Sequence, residues 1–182
     1  MNWRSQPRWA FLGVPVGLLA LVAALISVMD WSGWRINLTE SEPLGLYRLT
    51  SLPVGAIQRN SRVEFCPPRW VTPQAYPFYL RGNCPGGGMP MLKTVVAVPG
   101  DRVVVTLNGV WIDGRELPQS GQLQRSGKFP WVRFPHQQGS FILSPNRYWL
   151  YGSGATPSLA AQSFDSRYWG TIKITQIRRI AG

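Results

Sequence analysis

Residues 91–112 read MLKTVVAVPGDRVVVTLNGVWI, three valine-rich apolar runs that are separated by turn residues. Short runs of β-branched residues between glycine, proline and asparagine are typical of strands. The Asn108-Gly109 pair between the second and third runs indicates a β-hairpin. This segment therefore predicts consecutive antiparallel strands at Leu92 to Val98, Val103 to Leu107 and Val110 to Ile112.

The rest of residues 31–182 carries the same kind of signal. Short β-type runs recur between proline and glycine, no long amphipathic helix pattern follows residue 30, and no internal repeat is found. A segment of this length with these features predicts one mainly β domain with antiparallel strands. The further strands are predicted at Tyr47 to Leu49, Arg62 to Phe65, Phe141 to Leu143 and Thr171 to Ile177.

Two segments interrupt this pattern, Pro67 to Pro90 and Leu117 to Gln138, and both are rich in proline, glycine and polar residues. We expect long loops there. The glycines at residues 86–88 have no preceding strand and no Gly-Lys-Ser/Thr ending, so they do not match a phosphate-binding loop. They are interpreted as a flexible linker.

An uncharged apolar segment covers the 19 residues 11–29. This length is enough to span a bilayer and exceeds the apolar region of a cleaved signal peptide, so we predict a permanent transmembrane helix. Arg4 and Arg8 precede the segment. Positive charge on that side predicts a cytoplasmic N-terminus, residues 1–10, and a single-pass protein whose residues 30–182 form an exported domain.

The chain carries 19 Lys and Arg residues against eight Asp and Glu, a formal net charge of +11. This balance favours anionic partners, which include nucleic acids and lipid head groups. The basic residues are scattered, with only Arg178 and Arg179 adjacent, and there is no basic run or aromatic RNA-binding pattern. Together with the predicted helix, the charge indicates contact with membrane lipid and no nucleic-acid partner.

Cys66 and Cys84 are the chain's two cysteines and both lie in the predicted exported domain. A disulfide between them is expected outside the cytoplasm, with two unpaired thiols as the alternative. Two cysteines and the single histidine, His136, do not complete a structural zinc site. We therefore expect no metal and no cofactor.

The familiar hydrolase classes do not match this sequence. His136 is the single candidate for a histidine general base, and its loop of proline and glutamine residues is a poor position for one. Carboxylate pairs of the aspartic-protease or glycosidase kind would need a diagnostic motif. No such motif surrounds the candidate carboxylates Asp101, Asp113, Glu116 and Asp165.

Lysine is rare here, with three residues against 16 arginines, and Lys93 lies inside the apolar strand predicted from Leu92 to Val98. Strand alternation places apolar residues on both faces of that strand, so Lys93 is expected to be buried. Burial lowers the pKa of a lysine and makes it a candidate general base, which arginine cannot be. A lysine that extends from an edge strand into water is the alternative.

Three segments resemble the signal peptidases, and within them the conjugative-transfer peptidases called TraF. They occur in the family's order and are residues 39–47 (TESEPLGLY), 93–103 (KTVVAVPGDRV) and 163–170 (SFDSRYWG). The resemblance implies a signal-peptidase-like antiparallel β domain behind one N-terminal transmembrane helix. It also implies a serine endopeptidase in the inner membrane with its catalytic domain in the periplasm.

The resemblance implies a role for each matching residue. Ser41 would be the nucleophile and Lys93 the general base of a Ser/Lys dyad that forms an acyl-enzyme. The Ser41 backbone N–H and the Thr39 hydroxyl would form the oxyanion hole. Ser163 would orient Lys93. The supporting ion pair would be that of Asp165 and Arg167.

The chain departs from the general signal-peptidase pattern at three places. Glu42 follows the serine where an apolar residue is usual, and Thr94 follows the lysine where arginine is common. Residues 151–154 (YGSG) stand where the family usually has Gly-Asp-Asn. The Pro-x-Gly-x-Tyr after Glu42 is similar to the TraF branch.

The predicted function is cleavage of exported precursor proteins, with maturation and possible cyclisation of a conjugative pilin as the implied substrate chemistry. The alternatives are a general type I signal peptidase for secretory preproteins and a non-catalytic membrane-tethered factor for assembly or DNA transfer. Glu40 and Glu42 flank Ser41, from which we hypothesise a preference for precursors with positive charge near the cleavage site.

Overall fold

The computed structural model describes residues 10–52, 57–154 and 156–182, with the backbone alone at residues 10–14, 30 and 157. The chain divides into two compact units, Met1–Arg35 and Ile36–Gly182. The helices are α1 (Ala10–Trp31), α2 (Pro157–Ala161) and α3 (Ser166–Trp169). The strands are β1 (Trp34–Asn37), β2 (Gly45–Thr50), β3 (Arg62–Phe65), β4 (Met91–Ala97), β5 (Arg102–Val105), β6 (Val110–Ile112), β7 (Arg115–Glu116), β8 (Gly139–Ile142), β9 (Arg147–Tyr151), β10 (Ile172–Lys173) and β11 (Ile177–Ala181).

Helix α1 is the main element of the first unit and covers the segment 11–29 predicted to span a membrane. Pro15 lies in its early turns, where a missing N–H is tolerated better than further along a helix. Within the part of the chain that the structure describes, no helix combines the length and the hydropathy needed to cross a membrane. The transmembrane segment therefore stays a prediction, and the predicted cytoplasmic residues 1–9 lie outside the described residues.

The larger sheet of the second unit has the strand order β1-β2-β11-β3-β4-β9-β10. The pairs from β2 to β10 are antiparallel, as the sequence predicts for a mainly β domain. Strand β4 lies between β3 and β9, and its residues from Leu92 to Val95 are all buried. Its position gives the sheet a central strand with no face open to water.

The smaller sheet has the order β7-β6-β5-β8. Its strand β5 follows β4 of the larger sheet in the chain. The turn at Pro99-Gly100 separates β4 from β5, and Gly100 adopts a φ of 95° that favours glycine. Strands β5 and β6 form the hairpin predicted from Asn108-Gly109, with Val105 opposite Val110. Valines of this hairpin pack with Trp149 in a separate hydrophobic cluster.

The two long segments between strands are packed parts of the domain. Val71, Tyr76 and Tyr79 from the first, with Val132 and Phe134 from the second, belong to the main hydrophobic core. The flexible-linker interpretation of residues 86–88 is wrong. A Cβ atom at Gly88 would lie 2.0 Å from the Tyr79 ring, so the glycine is needed for close packing.

The Cys66–Cys84 disulfide ties the first of these segments to the end of β3. One predicted strand needs correction, and one central strand was missed. The strand expected at Thr171 to Ile177 is divided into β10, a 3₁₀ turn at Ile174–Gln176 and β11. Strand β9, which the sequence analysis did not predict, runs beside β4.

Candidate active site

Ser41 lies in a turn between β1 and β2, and the buried side chain of Asn37 holds that turn in shape. The Asn37 amide nitrogen donates to the carbonyl oxygens of Thr39 at 2.9 Å, Glu42 at 3.1 Å and Pro43 at 3.0 Å. Its oxygen accepts hydrogen bonds from the Thr39 N–H and hydroxyl. One side chain thus organises the segment 39–43, which we call the Ser41 turn.

The predicted oxyanion groups differ in their surroundings. The Thr39 side chain is exposed, and its hydroxyl donates to the Asn37 Oδ1 atom at 2.7 Å. The Ser41 backbone N–H has no acceptor among the described residues. Of the two, the Ser41 N–H is therefore the donor that this conformation leaves available.

The Ser41 turn is fixed to the loop after β9. The Gly154 N–H donates to the Ser41 carbonyl oxygen at 3.0 Å. A Cβ atom at Gly152 would lie 1.9 Å from the Ser163 Oγ atom and 3.0 Å from the Ser41 carbonyl oxygen. Gly152 therefore lies directly between Ser41 and Ser163, and only glycine fits there without displacing one of them.

Glu42 makes the strongest connection between the Ser41 turn and the sheet. Its carboxylate is fully buried and accepts hydrogen bonds from the Thr94 hydroxyl at 3.0 and 3.1 Å. It also accepts from the Ser153 hydroxyl at 2.7 Å and from the Arg62 Nε at 2.9 Å. Glu42 is therefore not available to attract a charged precursor, and that part of our hypothesis is wrong, whereas Glu40 is exposed.

Lys93 directly precedes the Thr94 that binds Glu42. Its side chain is 4% exposed on the central strand β4, so the alternative of a lysine extending from an edge strand is wrong. Burial lowers the pKa of Lys93 to about 8, although the carboxylates of Asp165 and Glu42 act in the opposite direction. No hydrogen bond or ion pair of the Lys93 side chain is found within the described ranges. The group is thus a buried amine that loses its proton far more readily than an ordinary lysine.

Asp165 and Arg167 form a fully buried ion pair beside Lys93. The Arg167 Nε donates to Asp165 Oδ1 at 2.8 Å, and its other nitrogens donate to Asp165 and to backbone carbonyl oxygens such as those of Ser163 and Gly121. Asp165 also accepts from the Gly152 N–H at 3.2 Å. The pair therefore joins helix α3 to the loop that contacts Ser41.

Ser163 lies in the same neighbourhood and is 3% exposed. Its hydroxyl has no hydrogen-bond partner among the described residues. A buried hydroxyl without a partner is unfavourable, so its presence requires an explanation. The hydroxyl is thus free to bond a group that enters or moves within the site.

The Ser41 turn, the loop after β9 and the Asp165–Arg167 pair are joined by the contacts described above, and four residues that take part in these contacts were not assigned by the sequence analysis. These four are Asn37, Arg62, Gly152 and Ser153. Two departures from the family pattern, Glu42 and Thr94, contact each other directly, so their joint occurrence was the available signal for this network. Within the described part of the chain, no cluster of His, Cys, Asp and Glu residues could hold a metal ion.

Comparison with known proteins shows the family of this chain. The family model described as signal peptidase, peptidase S26, matches residues 8–181. The chain is 37% identical over 161 residues to the conjugal transfer protein TraF of Agrobacterium tumefaciens (strain 15955), covering 86% of this chain and 84% of that protein. It is also 37% identical over 185 residues to the probable conjugal transfer protein TraF of Sinorhizobium fredii (strain NBRC 101917 / NGR234), covering 98% and 90%.

Among solved structures, a signal peptidase I from Enterococcus faecalis V583 aligns with a TM-score of 0.36 and 20% identity, covering 68% of this chain and 95% of that chain. The family match, which extends over nearly the whole sequence, makes this protein a serine peptidase. It belongs to the signal peptidase family, peptidase S26.

Proposed function

We propose that this chain is a membrane-anchored endopeptidase in which Ser41 and Lys93 form a catalytic dyad. The observation that supports this most strongly is the burial of Lys93, which lowers its pKa to about 8. Lys93 also directly precedes Thr94, whose hydroxyl binds Glu42 of the Ser41 turn. At pH 7 a pKa of 8 leaves roughly a tenth of the molecules with a neutral amine. An ordinary lysine would supply several hundred times less.

In the proposed reaction the Ser41 Oγ attacks the carbonyl carbon of the scissile peptide bond while Lys93 takes the hydroxyl proton. Lys93 then gives that proton to the leaving amine, and an ester joins Ser41 to the new C-terminus of the substrate. Water, activated by the same amine, hydrolyses the ester. An amine at the N-terminus of the substrate would instead yield a cyclic product.

The surrounding groups support the reaction in distinct ways. The Ser41 N–H, which has no acceptor among the described residues, would stabilise the oxyanion, and the Thr39 hydroxyl would do so after leaving Asn37. The unpartnered Ser163 hydroxyl would orient the Lys93 amine. The buried ion pair of Asp165 and Arg167 would keep these elements in place.

We further propose that α1 anchors the protein in the inner membrane, with residues 1–10 in the cytoplasm and residues 30–182 in the periplasm. The described side chains of α1 support this, because residues such as Leu19 and Leu25 are apolar and more than half exposed. Exposed apolar surface of this kind is typical of a segment that contacts lipid or a partner.

The topology has a direct test. Protease added to intact spheroplasts is expected to degrade residues 30–182, because the domain would face the outside of the inner membrane. Immunoblotting of the domain, with a cytoplasmic protein as the control for intact cells, measures the result. Lysed spheroplasts show whether the protease can degrade the domain at all. If the domain is degraded after lysis but fully protected in intact spheroplasts, the proposed orientation is contradicted.

The proposed substrate is an exported precursor protein, and the names of the relatives point to conjugation. The two TraF relatives are named as a conjugal transfer protein and a probable conjugal transfer protein. A conjugative pilin precursor is our proposal for the substrate. Co-expression with a conjugative pilin precursor tests the proposal. Mass spectrometry should show a shortened pilin with the wild type and an unprocessed precursor with Ser41→Ala, and a precursor left intact by both proteins would remove the pilin from consideration.

A further inference from the structure

The most densely bonded carboxylate of the site is one that the proposed chemistry does not use. Glu42 has no exposed side-chain surface and receives hydrogen bonds from three different parts of the fold. Thr94 belongs to β4, Arg62 to β3, and Ser153 to the loop after β9, which also donates from its backbone N–H at 3.3 Å. The residue on its N-terminal side is Ser41, and the residue before Thr94 is Lys93.

A buried carboxylate at this position is not explained by stability alone. Removing a carboxylate from water is unfavourable, and its contacts often do no more than offset that penalty, so an apolar residue of similar size could fill the space. The carboxylate adds a fixed geometry, because each of its hydrogen bonds holds Glu42 at a set distance from β3, β4 or the loop after β9. Together they fix the Ser41 turn relative to the strand that carries Lys93.

We propose that Glu42 is a positioning residue, which holds Ser41 in register with Lys93 and supplies a negative charge beside the amine. The inference rests on the proposed dyad, because it concerns how the two members are held. Glu42 does not touch the reacting atoms. It acts through Thr94 on one side and through the backbone of Ser41 on the other.

The charge of Glu42 gives this role a second, electrostatic consequence. The charged groups that face Lys93 are Glu42 from the Ser41 turn and Asp165 and Arg167 from the α3 region. The two carboxylates favour the protonated amine, and Arg167 and burial disfavour it. Removing the charge of Glu42 should therefore lower the pKa of Lys93 further and extend activity to lower pH.

Two substitutions separate the positioning from the charge. Glu42→Gln keeps the size and part of the hydrogen bonding but removes the charge, so the acidic limb of the kcat/KM profile should move to lower pH. Glu42→Met removes the hydrogen bonds, and kcat should fall about 10²-fold with KM nearly unchanged, because small displacements of reacting groups have effects of this size. A residue with a merely structural role would alter the melting temperature and leave the acidic limb in place.

Glu64→Gln is the matched control. Glu64 is also a buried glutamate, 1% exposed, and it pairs with Arg179 at 2.9 Å on the same sheet, but it is not among the groups that act on Lys93. The experiment measures kcat, KM and the pH profile of the full-length, detergent-solubilised protein with a precursor peptide. Glu64→Gln is expected to keep the acidic limb of the wild type.

The outcomes distinguish the two levels of inference. Failure of the wild type to cleave, or cleavage by Ser41→Ala, would overturn the proposed function itself. With an active wild type, an unmoved acidic limb in Glu42→Gln would overturn the electrostatic role of Glu42, and an unchanged kcat in folded Glu42→Met would overturn its positioning role. Either result leaves the dyad standing. Should Glu42→Met not fold, Glu42→Gln tests both roles, because its acidic limb reports the charge and its kcat on the pH plateau reports the positioning.

Discussion

Replacing Lys93 by arginine is expected to abolish cleavage while the protein still folds. Arginine keeps a long cationic side chain but has a pKa above about 12, so it cannot supply a free amine near neutral pH. Removing a positioned base typically lowers the rate about 10²- to 10⁴-fold, and the loss within a shared dyad can be larger. Ser41→Ala should be equally inactive, because the acyl-enzyme cannot form without the hydroxyl.

The wild type should show the matching pH dependence. The pKa of Lys93 is lowered to about 8, so the neutral amine predominates above that pH and becomes scarce below it. Cleavage should therefore decline as the pH falls through about 8. The acidic limb of the kcat/KM profile reports the pKa of Lys93 in the free enzyme. The pKa seen in the pH profile of kcat would differ if the Lys93 amine forms a hydrogen bond to the bound substrate.

The control for this substitution is Lys128→Arg, which makes the same change at an exposed lysine. Cleavage of a precursor peptide by the purified proteins measures the effect, with circular dichroism to verify the fold. The Ser41→Ala, Lys93→Arg double variant should be no worse than either single variant, because the two residues act as one unit. Near-wild-type cleavage by folded Lys93→Arg would show that Lys93 is not the base.

Replacing Arg167 by methionine is expected to destabilise the domain severely. Arg167 is fully buried and lies 4.9 Å from the centre of the Tyr151 ring. Its loss would leave the Asp165 carboxylate buried without its cation and the Ser163 carbonyl oxygen without its donor. Removing one partner of a buried ion pair typically lowers the free energy of unfolding by about 3–5 kcal/mol.

Chemical denaturation of the wild type and Arg167→Met measures this loss. Arg59→Met is the control, since Arg59 pairs with Asp101 and Asp113 but has 44% of its side chain exposed. This pair is partly exposed, since 12% of the Asp101 side chain and 43% of the Asp113 side chain are accessible, so Arg59→Met should lose clearly less stability than Arg167→Met. An Arg167→Met variant as stable as Arg59→Met would show that the buried pair does not hold the site together.

The sequence predicted the fold best where the signal is local. The valine runs of residues 91–112 and the Asn108-Gly109 turn form the strands and hairpin that were expected. Strand β9 was missed because it is buried along most of its length and lacks the alternation of a half-exposed strand. The strand expected at Thr171 to Ile177 is interrupted by the turn at Ile174–Gln176. This turn lets β10 pair with β9 and β11 pair with β2 and β3, which is a requirement of the tertiary structure.

The same division holds for the candidate site. Ser41 and Lys93 could be proposed from the sequence because each lies in a distinctive short segment, and Lys93 is buried as predicted. Glu42 was misinterpreted because its partners lie far away in the chain, with Thr94 52 residues and Ser153 111 residues along. Nothing in the residues beside Glu42 indicates that its carboxylate turns into the interior of the domain.

Chemical rescue of position 93 tests the dyad most directly. Lys93→Cys should be inactive, and because the two native cysteines are joined in a disulfide, the new thiol can be modified selectively. Alkylation with 2-bromoethylamine builds a side chain as long as lysine that ends in an amine, whereas iodoacetamide builds one that ends in an amide. Precursor cleavage should return after the first treatment and not after the second. Complete aminoethylation, verified by mass, without any return of cleavage, or full activity of unmodified Lys93→Cys, would contradict a catalytic Lys93.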